Sequence, residues 1–158
     1  MSASARSGLR ELQQIWRPDG AVLLDTNAII RAQLGHRLTP EAVAAIERAQ
    51  AELGLMISIV SVWELGLLAR NRTSPTGRIF APDLDTWLDR VMGMHGVRLA
   101  QITSDMALAA WRLPEPIHGD PADRLIIAAA RALSVPIITR DRAILDYAAL
   151  GHVQAIAC

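Results

Sequence analysis

The chain has 158 residues, of which 51% are hydrophobic, enough to bury one core and unlike a disordered or fibrous chain. Its 16 basic and 16 acidic residues cancel, so the broad basic field of a bulk nucleic-acid binder is absent and any such contact is local. Every basic residue is arginine, which removes P-loop lysines, Schiff-base chemistry and Ser–Lys hydrolases.

Residues 1–20 carry no continuous apolar core of the kind a secretory signal has, and they read as an appendage. Within them RELQQIWR is either a weak amphipathic helix or a poorly ordered tail. The folded domain is expected to be residues 21–158, without internal repeat or second domain. AVLLD, Ala21 to Asp25, reads as a first strand, followed by a short helix from Asn27 to Gly35. Thr39-Pro40-Glu41 starts a second helix that runs to Gly54. LMISIV, Leu55 to Val60, is a second strand, and Ser61 is expected to start the next helix. Asn71 to Pro82 has loop chemistry. Asp83 to about Met94 is helical, with Leu84, Trp87, Leu88 and Val91 on one face. A strand near Val97–Ile102, a helix over Thr103–Leu113, the LPEPIHGDP loop and a helix from Asp120 follow. VPIIT, Val135 to Thr139, is a strand, Asp141–Leu150 a helix, and HVQAI a candidate closing strand. Apolar strands alternating with amphipathic helices predict an α/β fold around a central, mostly parallel sheet of four or five strands. No apolar run approaches the length of a membrane span. The single cysteine, Cys158, excludes an intrachain disulfide and a multi-cysteine zinc site, and fits a cytoplasmic setting.

Placed on this map, the acids show a regularity. Asp25 ends the first strand, Glu64 lies in the first turn after the second, Asp123 in the first turn of its helix, and Asp141 just after VPIIT. In an open parallel sheet the strand C-termini share one edge, and ligands bind in the crevice outside it. Each acid also has a capping reading. Ser61 to Glu64 fits the capping box S-x-x-E, Asp120-Pro121-Ala122-Asp123 is a cap variant, and Asp141 is a candidate N-cap. Asp25 is the one that capping does not explain, because it interrupts an apolar run where an unpartnered carboxylate is costly.

Magnitudes separate the two readings. A helix N-terminus favours a carboxylate by about 0.3–1 kcal/mol. Two carboxylates ~4 Å apart repel by roughly 4 kcal/mol at an effective dielectric near 20. If these acids converge, a cation has to be present, and all-oxygen ligands with room for water suit Mg²⁺ or Mn²⁺ rather than zinc. The four histidines, His36, His95, His118 and His152, are too scattered to compete.

The ordered set LLDTN, SVWE, DPADRLIIAAA and IITRD resembles the PIN domain, most closely the VapC-type toxins of bacterial toxin–antitoxin pairs, over about Leu23 to Val153. The resemblance implies a PIN-like α/β/α sandwich and Mg²⁺- or Mn²⁺-dependent endoribonuclease activity. It also implies an RNA substrate, a cognate antitoxin that fills the acidic pocket, and a homodimer. Carried onto this chain, the catalytic acids are Asp25, Glu64, Asp123 and Asp141. Asp25 and Asp123 are the main metal ligands, and Asp141 and Glu64 support a metal or the attacking water. Thr139 and Asn27 are supporting polar members, and Asp120 caps its helix, contacts a metal through water, or both. Arg70, Arg72 and Arg78 flank the loop after the Glu64 helix and are candidate phosphate contacts, or solvated surface charges. Trp63, Trp87 and Trp111 lie on apolar helix faces and are expected to serve core or subunit packing rather than base stacking.

Two rivals stand beside the nuclease. One is a PIN-like binding module whose acids serve only as caps. The other is a haloacid-dehalogenase-type phosphatase, which also places an aspartate after an apolar strand but has a second aspartate two positions on, where this chain has Asn27.

Overall fold

The computed structural model describes residues 19–71, 75–80, 83–117 and 119–158. The expected helix or tail in RELQQIWR, Arg72 and His118 lie outside the described residues. Five strands form one sheet: β1 (Val22–Leu24), β2 (Leu55–Ser58), β3 (Val97–Ala100), β4 (Ile137–Thr139) and β5 (Ala155–Ala157). Their order is β3-β2-β1-β4-β5 and every pairing is parallel, so "mostly parallel" becomes wholly parallel and HVQAI does close the sheet.

The helices are α1 (Thr26–Gln33), α2 (Pro40–Ala51), α3 (Ile59–Ala69), a short α4 (Pro75–Arg78), α5 (Leu84–Met92), α6 (Ser104–Trp111), α7 (Pro121–Leu133) and α8 (Arg142–Ala149). Several begin where their cap chemistry says they should. Thr39 caps α2 ahead of Pro40, Asp83 caps α5, Thr103 caps α6, and Asp120 caps α7 ahead of Pro121.

Side-chain alternation along the strands divides the core into two layers. Leu23, Met56 and Ile137 point to the layer that holds Met106, Ile126, Ile127, Ile144 and Tyr147, from α6, α7 and α8. Val22, Leu55 and Ile138 point the other way, onto Ala28 of α1 and Ala42 and Ala49 of α2. Ile57 belongs to a neighbouring cluster with Leu65, Phe80, Trp87 and Val91. Here Trp87 meets Phe80 edge-to-face at 5.1 Å, and its indole N–H donates to Gln33 at 3.3 Å. Trp87 is therefore the core tryptophan of the three, whereas Trp63 is 62% and Trp111 80% exposed, which corrects core packing for both.

Several boundaries also change: β3 ends at Ala100 rather than Ile102, β4 begins at Ile137 rather than Val135, and the short α4 lies within the stretch that reads as loop. The second strand ends at Ser58 rather than Val60, and Ser58, not Ser61, is the N-cap: its hydroxyl accepts from the Val60 N–H at 3.1 Å. Ile59 and Val60, which read as strand, form the first turn of α3. Glu64 consequently sits a turn deeper in α3 than the capping-box reading placed it, and it is no cap.

Candidate active site

β1 is central in the sheet, and the residue that follows it, Asp25, emerges at the C-terminal edge between the ends of β2 and β4. It is only 3% exposed. Asp25 does cap a helix, contrary to the sequence expectation. Its Oδ1 accepts from the Thr26 N–H at 2.7 Å, and α1 starts at Thr26, one residue before the expected position. Capping uses only that oxygen. Oδ2 accepts from Asn27 Nδ2 at 2.7 Å and from the Thr139 hydroxyl at 2.6 Å. Burial nevertheless wins: it pushes the Asp25 carboxyl up from 3.8 to about 6 against the lowering pull of Thr139 and the Thr26 N–H, with help from the nearby charges of Glu64 and Asp141. Asp25, Glu64 and Asp141 thus share one electrostatic neighbourhood.

Each partner of Asp25 reaches a further group. Asn27 Oδ1 accepts from the Arg140 N–H at 2.9 Å, which ties the start of α1 to the turn after β4. The Thr139 hydroxyl accepts from the Asp141 N–H at 2.9 Å. Asp141 caps α8 through Oδ1, which accepts from the N–H groups of Ala143 and Ile144 at 2.7 and 3.1 Å. On the other side of Asp25, Thr26 is buried at the first position of α1. Its hydroxyl hydrogen-bonds Glu64 Oε2 and lies 2.9 Å from the hydroxyl of Ser61, which is fully buried. Thr26 and Ser61 were not singled out as site members from the sequence. The three-residue spacing of Ser58, Ser61 and Glu64 through an otherwise apolar stretch was the available signal.

Asp120 is exposed and its Oδ1 accepts from the Ala122 N–H at 2.8 Å, so capping is the role its geometry supports. Asp123 is half-buried in the first turn of α7. Because α7 leads into β4, its N-terminus lies toward the edge where the strands end. The charges acting on Asp25 are nevertheless those of Glu64 and Asp141. Among the described residues no group of three or more His, Cys, Asp and Glu side chains is gathered tightly enough to hold a metal ion. Arg70 ends α3 and Arg78 is exposed at the end of α4.

The donor set still fits one kind of ion. Mg²⁺ and its close relative Mn²⁺ keep several waters and use one or two carboxylates plus substrate phosphates, rather than a full protein cage. A buried aspartate raised by desolvation and by two neighbouring acids is a group that a bound cation relieves.

A parallel sheet in this order, helices on both faces, and acids that follow separate strand ends around a buried aspartate define an α/β/α domain with its acids at the strand C-terminal edge. Comparison with known proteins agrees. The PIN domain family model matches residues 22–150, and the chain belongs to that family. Ribonuclease VapC22 of Mycobacterium tuberculosis is 36% identical over 106 residues, covering 67% of this chain and 75% of that protein. Among solved structures, a chain of VapBC2 from Rickettsia felis bound to a DNA fragment from their promoter superposes with TM-score 0.63 at 14% identity, covering 87% of this chain and 98% of that one. A chain of DNA-bound VapBC from Salmonella typhimurium gives TM-score 0.58 at 17% identity, covering 87% and 97%. At those identities the likeness is one of fold. No helix among the described residues is long and apolar enough to cross a membrane.

Proposed function

We propose that the chain is a Mg²⁺- or Mn²⁺-dependent endoribonuclease, the toxin of a toxin–antitoxin pair that arrests growth or translation when released in the cytoplasm. One observation carries the reading: a buried carboxylate, Asp25, held at the strand-end edge with Glu64 and Asp141 as its acidic neighbours, in a chain 36% identical to a ribonuclease.

Phosphodiester hydrolysis needs a deprotonated water in line with the leaving oxygen, and positive charge against the oxygens of the transition state. A bound divalent ion supplies that charge and acidifies water. Asp25 and Asp123 would hold it, with Asp141 completing the set. The remaining work falls to the protein. Asn27 and Thr139 fix the Asp25 carboxylate through Oδ2 and the Thr26 N–H holds Oδ1, which leaves one lone pair, on Oδ1, for a cation. Thr139 also fixes the Asp141 backbone, and Asn27 the turn at Arg140. Glu64, held through Oε2 by Thr26, would accept a proton or a water hydrogen bond with its other oxygen. Exposed Arg70 and Arg78, which bracket the loop after the Glu64 helix, would be the phosphate contacts.

The partners follow from the surface. An antitoxin segment bearing a cation would neutralise the acidic pocket. Exposed apolar side chains, Trp63 and Leu67 on α3 and Leu108 and Trp111 on α6, would be covered in a homodimer.

The direct test offers paired single-stranded ribo- and deoxyribo-oligonucleotides to the purified chain in Mg²⁺ or Mn²⁺. Metal-dependent cutting of the RNA, abolished by EDTA and by Asp25→Asn, is expected. Cutting of DNA alone, or an undiminished Asp25→Asn, would overturn the reading.

A further inference from the structure

Ser61 and Thr26 come from different helices, yet their hydroxyl oxygens meet 2.9 Å apart below Glu64, and Thr26 hydrogen-bonds the Glu64 carboxylate. Both are shut off from solvent: Ser61 is fully buried and Thr26 is 8% exposed. A hydroxyl has one proton to give. Thr26 donates to Glu64 Oε2, so its proton is committed to that oxygen. Ser61 must therefore be the donor to Thr26, and no other polar partner of the Ser61 hydroxyl exists among the described residues.

We propose that Ser61 and Thr26 form a two-hydroxyl relay, Ser61 to Thr26 to Glu64, that positions the Glu64 carboxylate at the sheet edge where Asp25 emerges. The proposal rests on the nuclease reading only for what Glu64 does afterwards.

Several features make this more than packing. The relay joins the first residue of α1, whose backbone N–H also donates to Asp25 Oδ1, to the middle of α3, so one residue holds both acids. A glutamate carries three side-chain torsions, and on a half-buried rim its rotamers cost little to exchange. One hydrogen bond to a charged acceptor is enough to select among them. The hydroxyls also occupy buried space where an apolar core would otherwise close, and a polar pair is retained in such a place only if its bonds are made. Thr26 and Ser61 are thus positioning residues that act through Glu64.

The experiment uses the full chain and the variants Thr26→Ser, Thr26→Val, Ser61→Ala, Glu64→Gln and Thr26→Val/Glu64→Gln. Cleavage of a labelled RNA oligonucleotide is followed in Mn²⁺, with kcat and KM separated. Thr26→Val is expected to lower kcat by roughly 10- to 100-fold, the worth of a hydrogen bond to a charged group, with KM nearly unchanged. Thr26→Ser is expected to restore most of it. In the Glu64→Gln background Thr26→Val should cost almost nothing further, because the group it positions is already altered.

Full additivity of the two losses, or Thr26→Ser as impaired as Thr26→Val, would overturn the relay. Crystal structures of Thr26→Val and Thr26→Ser give a readout independent of activity. Glu64 should leave its place in the first and keep it in the second. A chain that cuts no RNA but shows that displacement loses the nuclease reading and keeps the relay. Glu64 unmoved in Thr26→Val refutes the relay whatever the activity.

Discussion

The Thr139 hydroxyl donates to Asp25 Oδ2 at 2.6 Å across 114 positions of sequence, and the Thr139 Oγ1 itself accepts from the Asp141 N–H at 2.9 Å. One buried side chain therefore orients one acid and anchors the backbone of another. Thr139→Val keeps the shape and loses both bonds. It is expected to cost about 1–3 kcal/mol in a urea melt, from one unsatisfied N–H and one lost bond to a carboxylate. Because the Thr139 bond lowers the Asp25 pKa, its loss raises that pKa further, and the variant's pH–activity profile should move to higher pH. A profile that stays put would mean Asp25 does not set it.

Burial of Asp25 makes the metal-free protein sensitive to pH in an unusual direction. The unfolded carboxyl titrates near 3.8 and the folded one near 6, so the folded state holds the proton more tightly. This group's contribution is most favourable below the unfolded value. It falls as pH rises between the two and is flat above the folded value. A shift of about two pKa units corresponds to about 3 kcal/mol. The difference in stability between wild type and Asp25→Asn, measured in EDTA by urea unfolding, should therefore change in favour of the variant between about pH 4 and 6. A pH-independent difference would show that Asp25 is not raised.

Asp120 and Asp123 separate capping from chemistry within one helical turn. Asp120→Ala removes the bond to the Ala122 N–H and should cost about 1 kcal/mol while leaving RNA cleavage intact. Asp123→Asn should remove metal-dependent cleavage. The reverse assignment of losses would make Asp120 the ligand.

The exposed tryptophans give the oligomer prediction. Trp63 and Trp111 contribute nothing to the monomer's interior, so Trp63→Ala/Trp111→Ala should leave the fold intact while sedimentation shows a dimer become a monomer. A wild type that sediments as a monomer at every concentration would remove the dimer.

Much of this was legible because strand ends and caps are written locally. The runs AVLLD and VPIIT and the pairs Thr39-Pro40 and Asp120-Pro121 gave the elements that carry Asp25, Thr139 and Asp123, within a residue or two. What misled was SIVSVWE. Ser58 and Ser61 stand a turn apart, the intervening Ile59 and Val60 favour strand as readily as helix, and only tertiary burial shows that the first serine is the cap. Displacing the boundary by that turn changed Ser61 from a cap into a buried donor. Amphipathic periodicity likewise marked the faces bearing Trp63, Trp87 and Trp111 without distinguishing a face that meets the core from one left for a partner. Asp25 was singled out correctly for its burial but not for its cap, because a carboxylate that serves Thr26 with one oxygen and Asn27 and Thr139 with the other has no one-dimensional signature.

The central claim is that acids from separate strand ends form one cation site. It is tested most directly by thermal melts of the wild type and of Asp25→Asn/Asp123→Asn, with millimolar Mn²⁺ and with EDTA. A ligand that binds only the folded state raises its stability by mass action. Mn²⁺ should raise the wild-type Tm, more at pH 8 than at pH 5 where Asp25 is protonated, and should leave the double variant unmoved. An equal Mn²⁺ shift in both proteins, or none in the wild type at pH 8, would contradict it.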